Sequence, residues 1–290
     1  MFSAMARHGR PRQWRPTGWF REGTVPLDRH VRWRTVGSVL ASTLVFGGAL
    51  VCAAPMADAA TVIQVSSAAQ LEAIDQSPAS YLGDVIELMN NIALPAPSGG
   101  ATSNWTPLGN STAPFSGTFN GQGYAITNVV IHDTSGTNVG FFGDSIGGTI
   151  ENVGIAATVT GSFGAHVGVL VGTQNSGTIT DSYATGSVSG TDGNTGGLVG
   201  DQVSGTISNS HATGSVSGSV GNYGGLVGYQ DSGGSITDSY ATGSVSGTYV
   251  GGLVGDQYSG SIAQSYAIGA VSGTNTGGLV WNSSGAINAN

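Results

Sequence analysis

Carboxylates that recur at fixed offsets are the first residues in this sequence whose spacing suggests chemistry. Asp181 and Asp238 share one repeat position, and Asp201 and Asp256 share another. A pair of carboxylates hydrolyses a glycosidic bond when the two converge, at separations of about 5 to 9.5 Å. The intervening units place Asn209 and Tyr229 at these positions, so the acids fall on alternate units. In a stack of coils about 4.8 Å apart they would stand roughly 10 Å from one another along the axis. That pattern favours solvated or turn-forming aspartates over a catalytic pair. A polysaccharide lyase would draw on Lys or Arg, and no basic residue follows Arg34. His132, His166 and His211 follow no metal-ligand spacing, and the Gly-Gly-x-Gly-x-Asp repeat of calcium-binding rolls is missing. The sequence therefore predicts no catalytic residue, no metal site and no cofactor.

Two repeated surface features remain as a candidate ligand surface. Tyr183, His211, Tyr240 and Tyr266 form one column, with His211 replacing a tyrosine. Their rings would either stack on sugars or pack on each other at a coil corner, and self-packing is the favoured expectation. Thr185, Thr213 and Thr242, flanked by Ser187, Ser215 and Ser244, form a flat hydroxyl array of the kind found on ice-binding faces, which Ile268 and Ala270 interrupt. Cross-strand hydroxyl pairing accounts for the array without a ligand.

The elements that carry these columns come from one phrase. Gly196-Gly197-Leu198-Val199-Gly200 recurs as Gly224 to Gly228, Gly251 to Gly255 and Gly277 to Val280, every 26 to 28 residues. A period of this length marks a solenoid. Each unit holds three short strand-like segments between glycines, exemplified by Gly-Gly-Leu-Val-Gly, Ser-Gly-Thr-Ile-Thr-Asp-Ser and Tyr-Ala-Thr-Gly-Ser-Val-Ser-Gly. Alternation in the third segment puts Ala184, Gly186 and Val188 on the inner face. Stacking then aligns Ile179, Ile207, Ile236 and Ile262 in one column, Leu170, Leu198, Leu226, Leu253 and Leu279 in a second, and Val188, Val216, Val245 and Val271 in a third. Gly190, Gly218, Gly247 and Gly273 close the third segment, where corners often need positive φ or close backbone approach. The expected fold is all-β, a right-handed parallel β-helix of about six coils spanning 121–290. Residues 60–120 form a small N-terminal cap in which Ser67-Ala68-Ala69-Gln70 opens a short helix carrying Leu71 and Ile74. At the other end, Trp281 replaces the repeat glycine and either caps the stack or marks a longer parent chain.

Charge and cysteine use bound the class further. The 290 residues carry a formal charge of −8, yet all eight basic residues lie between Arg7 and Arg34. An uncharged stretch, Thr35 to Ala57, follows, ending in Ala57-Asp58-Ala59. This is the layout of a cleavable signal peptide over 1–59, with a long basic n-region. Its removal takes away Cys52, the only cysteine, and leaves thirteen acidic residues without one Lys or Arg. Such a chain has no disulfide, does not bind nucleic acid through phosphates and avoids anionic membrane surfaces. Low charge with abundant Gly, Ser and Thr would also suit a disordered chain, but the fixed register of Leu, Val and Ile argues against that.

The phrases Gly197-Leu198-Val199-Gly200, Gly225 to Gly228 and Gly252 to Gly255 resemble those of bacterial GLUG-motif proteins, in which Gly197, Leu198, Gly200, Gly225, Leu226, Gly228, Gly252, Leu253 and Gly255 are the structural repeat residues. Asn104-Trp105-Thr106-Pro107-Leu108-Gly109, Pro114 to Gly121 and Gly140-Phe141-Phe142-Gly143 look like the segment that precedes such repeats. The resemblance implies a secreted or surface-attached β-solenoid, adhesin-like or structural, without catalysis of its own. Immunoglobulin A metallopeptidases that carry the motif use a separate zinc domain with His-Glu-x-x-His, which this sequence lacks. Expected partners are host or environmental surface glycans or proteins, contacted weakly at every coil, and end-to-end association is a further expectation. The alternative readings are a secreted carbohydrate-active enzyme and, behind it, an ice-binding solenoid.

Overall fold

The computed structural model describes residues 60–133 and 135–288, so the expected leader, 1–59, lies outside the described residues. Among these residues the chain winds through three parallel sheets that run the length of a stack. One repeat shows the path. Thr178–Thr180 joins the first sheet, Tyr183–Gly190 and Asn194–Gly196 join the second, and Val199–Gln202 joins the third. The next repeat lies directly beneath in register, pairing Ile179 with Ile207, Val188 with Val216 and Val199 with Val227. The third sheet has six strands, from Phe142–Ser145 to Val280–Ser283, matching the expected number of coils.

Stacking follows from what one coil lacks. A single unit has no second layer for its apolar side, but neighbours on both sides bury Ile207, Leu198 and Val216 at 0–1% exposure. Each such side chain contributes about 1.5–3 kcal/mol on burial. The same columns continue through Ile236 and Ile262, Leu226 and Leu253, and Val245. In the last coil Leu279, Val280 and Val271 are only partly buried.

The corner after the second sheet explains the repeat phrase. The carbonyl of Leu226 accepts two hydrogen bonds from the coil before it, from Leu198 N–H at 2.9 Å and Val199 N–H at 3.0 Å. Leu253 serves Leu226 and Val227 in the same way at 2.8 and 3.0 Å. This arrangement draws the backbones together. A Cβ on Gly197 would strike the carbonyl oxygen of Gly225 and the side chain of Ala212, and one on Gly225 would strike Gly252 and Ala241.

Two expectations need correction. Parallel stacking begins at Val62 rather than near Gly121, because Val62–Val65 pairs with Val85–Leu88, which pairs with Thr118–Asn120 and so on into the first sheet. These N-terminal strands alternate in burial as the later ones do, and that alternation is enough to join the stack. Gly186 is exposed with φ +105°, so it does not share the inner face with Ala184 and Val188. Of the two reasons expected for Gly190, Gly218 and Gly247, positive φ is absent and close approach holds, since a Cβ on Gly218 would strike the Gly190 carbonyl oxygen and one on Gly190 or Gly247 the Thr195 hydroxyl or the Tyr223 ring.

The helix Ala68–Asp75 forms as expected, with Ser67 Oγ accepting from Gln70 N–H, and it buries Leu71 and Ile74. Gln70 Oε1 accepts from Ser66 N–H at 2.7 Å, one residue before the position a capping box uses. Aromatics pack within the first coils. Trp105 stacks on Phe141 at 4.3 Å and 5°, donating its indole N–H to the Phe141 carbonyl at 2.8 Å. Trp281 stacks on Tyr249 of the coil before, at 4.4 Å. No helix among the described residues is long and apolar enough to cross a membrane.

If coil contact at the corner sets the glycine requirement, Gly197→Ala and Gly225→Ala should each lower unfolding free energy by about 2 kcal/mol or more, as overpacking does. Gly278 holds the same repeat position, yet a Cβ there would meet nothing within 4 Å, so Gly278→Ala should leave chemical denaturation unchanged.

Candidate functional site

The recurring acids divide by position. Asp181 and Asp238 stand at the corner between the first and second sheets with φ of +49° and +50°, alongside Asn152, Asn209 and Gln264 at +53°, +47° and +50°. Asp and Asn tolerate this left-handed conformation better than most residues, which accounts for their recurrence. The next residue builds a ladder. Ser210 Oγ donates to Ser208 O at 2.7 Å and accepts from Ser182 N–H at 3.2 Å, while Ser239 Oγ accepts from Ser210 N–H at 3.2 Å.

One residue further, the aromatic column closes on itself. Tyr183, His211, Tyr240 and Tyr266 stack with centroids 5.2, 4.6 and 5.1 Å apart and interplanar angles of 9°, 5° and 5°. The Tyr183 ring occupies the space a side chain on Gly154 would need. The ring faces a sugar would use are thus covered by neighbouring rings, except at the Tyr266 end. Burial lowers the pKa of His211. Thr185, Thr213 and Thr242 lie in successive coils, held by Thr213 N–H to Ala184 O and Thr242 N–H to Ala212 O, both 3.0 Å; of the three only Thr213 is exposed, the others being half-buried.

Another ladder escapes the reading of the sequence. Gln174, Gln202, Gln230 and Gln257 are 0–1% exposed. Gln202 Nε2 donates to Gln174 Oε1 at 3.3 Å and Gln230 Nε2 to Gln202 Oε1 at 3.0 Å. Their common offset from the Gly-Leu-Val-Gly phrase is the signal that could have revealed them.

Asp201 and Asp256 belong to a different column, Asp144, Thr173, Asp201, Tyr229, Asp256 and Asn282, in the third sheet. The Gly-Gly-Leu corner sets it beside a column of the second sheet that contains Asn138, His166, Asn194, Asn222 and Tyr249. The two columns meet as a polar seam. His166 Nδ1 lies 2.9 Å from Thr173 Oγ1 and 3.3 Å from Asp201 Oδ2. Thr173 Oγ1 donates to Asn138 Oδ1 at 3.0 Å, and Asp144 accepts from Asn138 and Asn175 at 3.1 and 2.7 Å. Burial, and after it the charge of Asp231, push the Asp201 carboxyl up to about 7 against a hydrogen bond from Asn194. Burial also raises Asp144 and Asp256 and lowers His166, the last opposed by Asp144.

This cluster is not a nucleophilic triad. A histidine relay needs the nucleophile at one ring nitrogen and the carboxylate at the other, whereas Thr173 and Asp201 both meet Nδ1. The Thr173 hydroxyl is also already donated to Asn138. Among the described residues no three His, Cys, Asp or Glu side chains gather as metal ligands.

Together, the fold and these ladders define a parallel β-solenoid. The model of the GLUG motif matches residues 219–246, so the protein carries that motif. Halomucin of Haloquadratum walsbyi is 40% identical over 138 residues, which cover 44% of this chain but 1% of halomucin. Because that organism is an archaeon, the motif does not by itself establish a bacterial source. A Bacteroides ovatus crystal structure, named as a candidate immunoglobulin A1 protease, superposes with a TM-score of 0.66 at 24% identity, over 79% of this chain and 74% of that one. This likeness is one of fold.

Two measurements probe the ladders and the seam. Tyr240→Ala removes two ring stacks and should cost about 1–3 kcal/mol of stability, from about 0.5–1.5 for each. A buried acid whose pKa is raised on folding stabilises the fold below about pH 4, and that stabilisation is lost as pH rises through its folded value, here about 7. Asp201→Asn should therefore flatten the decline in melting temperature between pH 4 and 8 and make the variant more stable than the parent at pH 8.

Proposed function

We propose that this protein is a secreted or cell-surface module, structural or adhesin-like, that acts by repeated weak contacts along its coils and has no catalytic centre. The single observation that carries this reading is the equivalence of the coils: the Ser, Gln and Tyr columns repeat a structural contact in successive units. The local departure from that pattern, at His166 and Asp201, lacks relay geometry. Similarity to halomucin supports a surface role. Equivalent sites repeated every coil raise avidity without any one of them being strong.

Export follows from the predicted signal peptide, and thirteen acidic residues with no Lys or Arg after residue 59 keep such a stack soluble and discourage self-association. Host or environmental glycans and proteins are the proposed partners. A separate carbohydrate-active or proteolytic activity draws support only from fold, which many functions share.

Purified protein should bind at least one class of immobilised glycan, matrix protein or whole cell saturably. It should leave immunoglobulin A1 and both neutral and acidic polysaccharides uncleaved after prolonged incubation, as judged by gel electrophoresis and reducing-end release. Turnover of any of them, or the absence of saturable binding throughout, would overturn the reading.

A further inference from the structure

The seam where the second and third sheets meet offers a more specific contact surface than either column singled out from the sequence. Its layers repeat along the axis. The Asn194 side chain hydrogen-bonds Asp201 across the seam, and the next two layers put Asn222 and Tyr249 in the one column and Tyr229 and Asp256 in the other. Asn222 Nδ2 donates to Asn194 Oδ1 at 3.0 Å and Asn282 Nδ2 to Asp256 Oδ1 at 3.0 Å, which fixes the amides in place. Asn194, Asn222, Tyr229, Tyr249 and Asp256 are half-buried, held within reach of a ligand but poorly hydrated. Beneath them Asp201 is 7% exposed, and its Oδ1 has no hydrogen-bond donor. A buried acceptor without a donor is destabilising. Burial likewise pushes the Tyr229 hydroxyl upward in pKa, with Asp231, Asp256 and Asp201 adding to the effect.

We propose that this seam binds a neutral, hydroxyl-rich polysaccharide lying along the solenoid axis. The inference rests on the surface-module reading above and names its partner class. Amide and carboxyl oxygens held in place by one hydrogen bond each, as at Asn194 and Asp256, keep a second lone pair for ligands that bring donors and acceptors on every unit, as sugar hydroxyls do. Planar rings complete the surface at one end, where Tyr249 stacks on Trp281 and Tyr258 is 65% exposed. At the other end Asn138 lines a cleft of about 290 Å³ together with Asn110, Ser111 and Asp133. Charge selects among polysaccharides. No Lys or Arg occurs after Arg34, so a uronate or sulfated chain would meet Asp201, Asp231 and Asp256 without a compensating cation. The regular coil step lets a linear polymer meet a pair of polar side chains on every coil, although which residues form the pair changes from coil to coil. The Tyr183 column has a free ring face only at its Tyr266 end, and Ile268 interrupts the Thr column.

The test is calorimetric titration of the full-length protein with linear hexasaccharides of β-1,4-glucose, β-1,4-N-acetylglucosamine, β-1,3-glucose and galacturonic acid. Saturable binding is expected for at least one neutral oligomer, tightening with chain length, and none for the galacturonate. Tyr229→Phe removes one hydroxyl and Asn222→Ala one amide. Each should weaken binding about fivefold, the equivalent of one net hydrogen bond, while Thr213→Val on the exposed second sheet should have no effect. Melting curves identify any variant that fails to fold, and Tyr229→Phe retains the ring. The proposal is wrong if no neutral oligomer binds, if the acidic oligomer binds best, or if Thr213→Val weakens binding and the seam variants do not. Should cells or matrix proteins still bind when no sugar does, the seam assignment fails alone; should nothing bind, the surface-module reading fails with it.

Discussion

Close approach of one coil to the next at the Gly-Gly-Leu corner is the constraint on which everything else in this protein rests. The Leu226 carbonyl takes two N–H donors from the coil before it, and the glycines beside it have no room for a Cβ. Parallel pairing at a strand spacing of about 4.8 Å then extends through all three sheets. Once that spacing is fixed, a residue can be accommodated only if its copy above and below tolerates the same side chain at the same distance. Ladders are the outcome. Apolar columns solve the problem by burial, serines by passing a hydrogen bond from coil to coil, glutamines by amide-to-amide donation, and tyrosines by ring stacking.

These solutions are mostly inward-looking, and that shapes function. A ring stacked on both faces and an amide paired above and below have little left to offer a ligand. Surface chemistry is confined to places where the column rule is relaxed, and the seam between the second and third sheets is the main one. There the third-sheet column changes identity from coil to coil, through Asp144, Thr173, Asp201, Tyr229, Asp256 and Asn282. Like charges on adjacent coils would repel, and a Thr or Tyr between successive aspartates keeps them apart. Without cations to neutralise them, the seam carboxyls are held toward their neutral forms by burial.

Periodicity locates the core well because burial in a solenoid is itself periodic. The Ile column and most of the Leu and Val columns fall where alternation places them, and the helix over Ala68–Asp75 follows from its Ser cap and apolar pair. Alternation misplaces Gly186 because it assumes a continuous extended strand, while φ +105° interrupts that strand. The N-terminal strands resemble a separate cap because Val62–Val65 and Val85–Leu88 carry no Gly-Leu-Val-Gly phrase, yet strand pairing requires only the in-and-out pattern.

Residue order alone dictates that this chain is a parallel stack, since a period of 26 to 28 residues with fixed Leu, Ile and Val offsets has few other ways to bury its apolar face. It also dictates that no Lys or Arg follows Arg34, so that a phosphate or other anion would find no Lys or Arg there to pair with. Which polar residues meet is settled by the three-dimensional fold. His166 and Asp201 sit in different coils and different sheets, and nothing in their spacing predicts a 3.3 Å contact. Only the turn at Gly-Gly-Leu, which folds the end of one sheet alongside the next, brings their columns together and leaves Asp201 with an oxygen that no protein donor reaches.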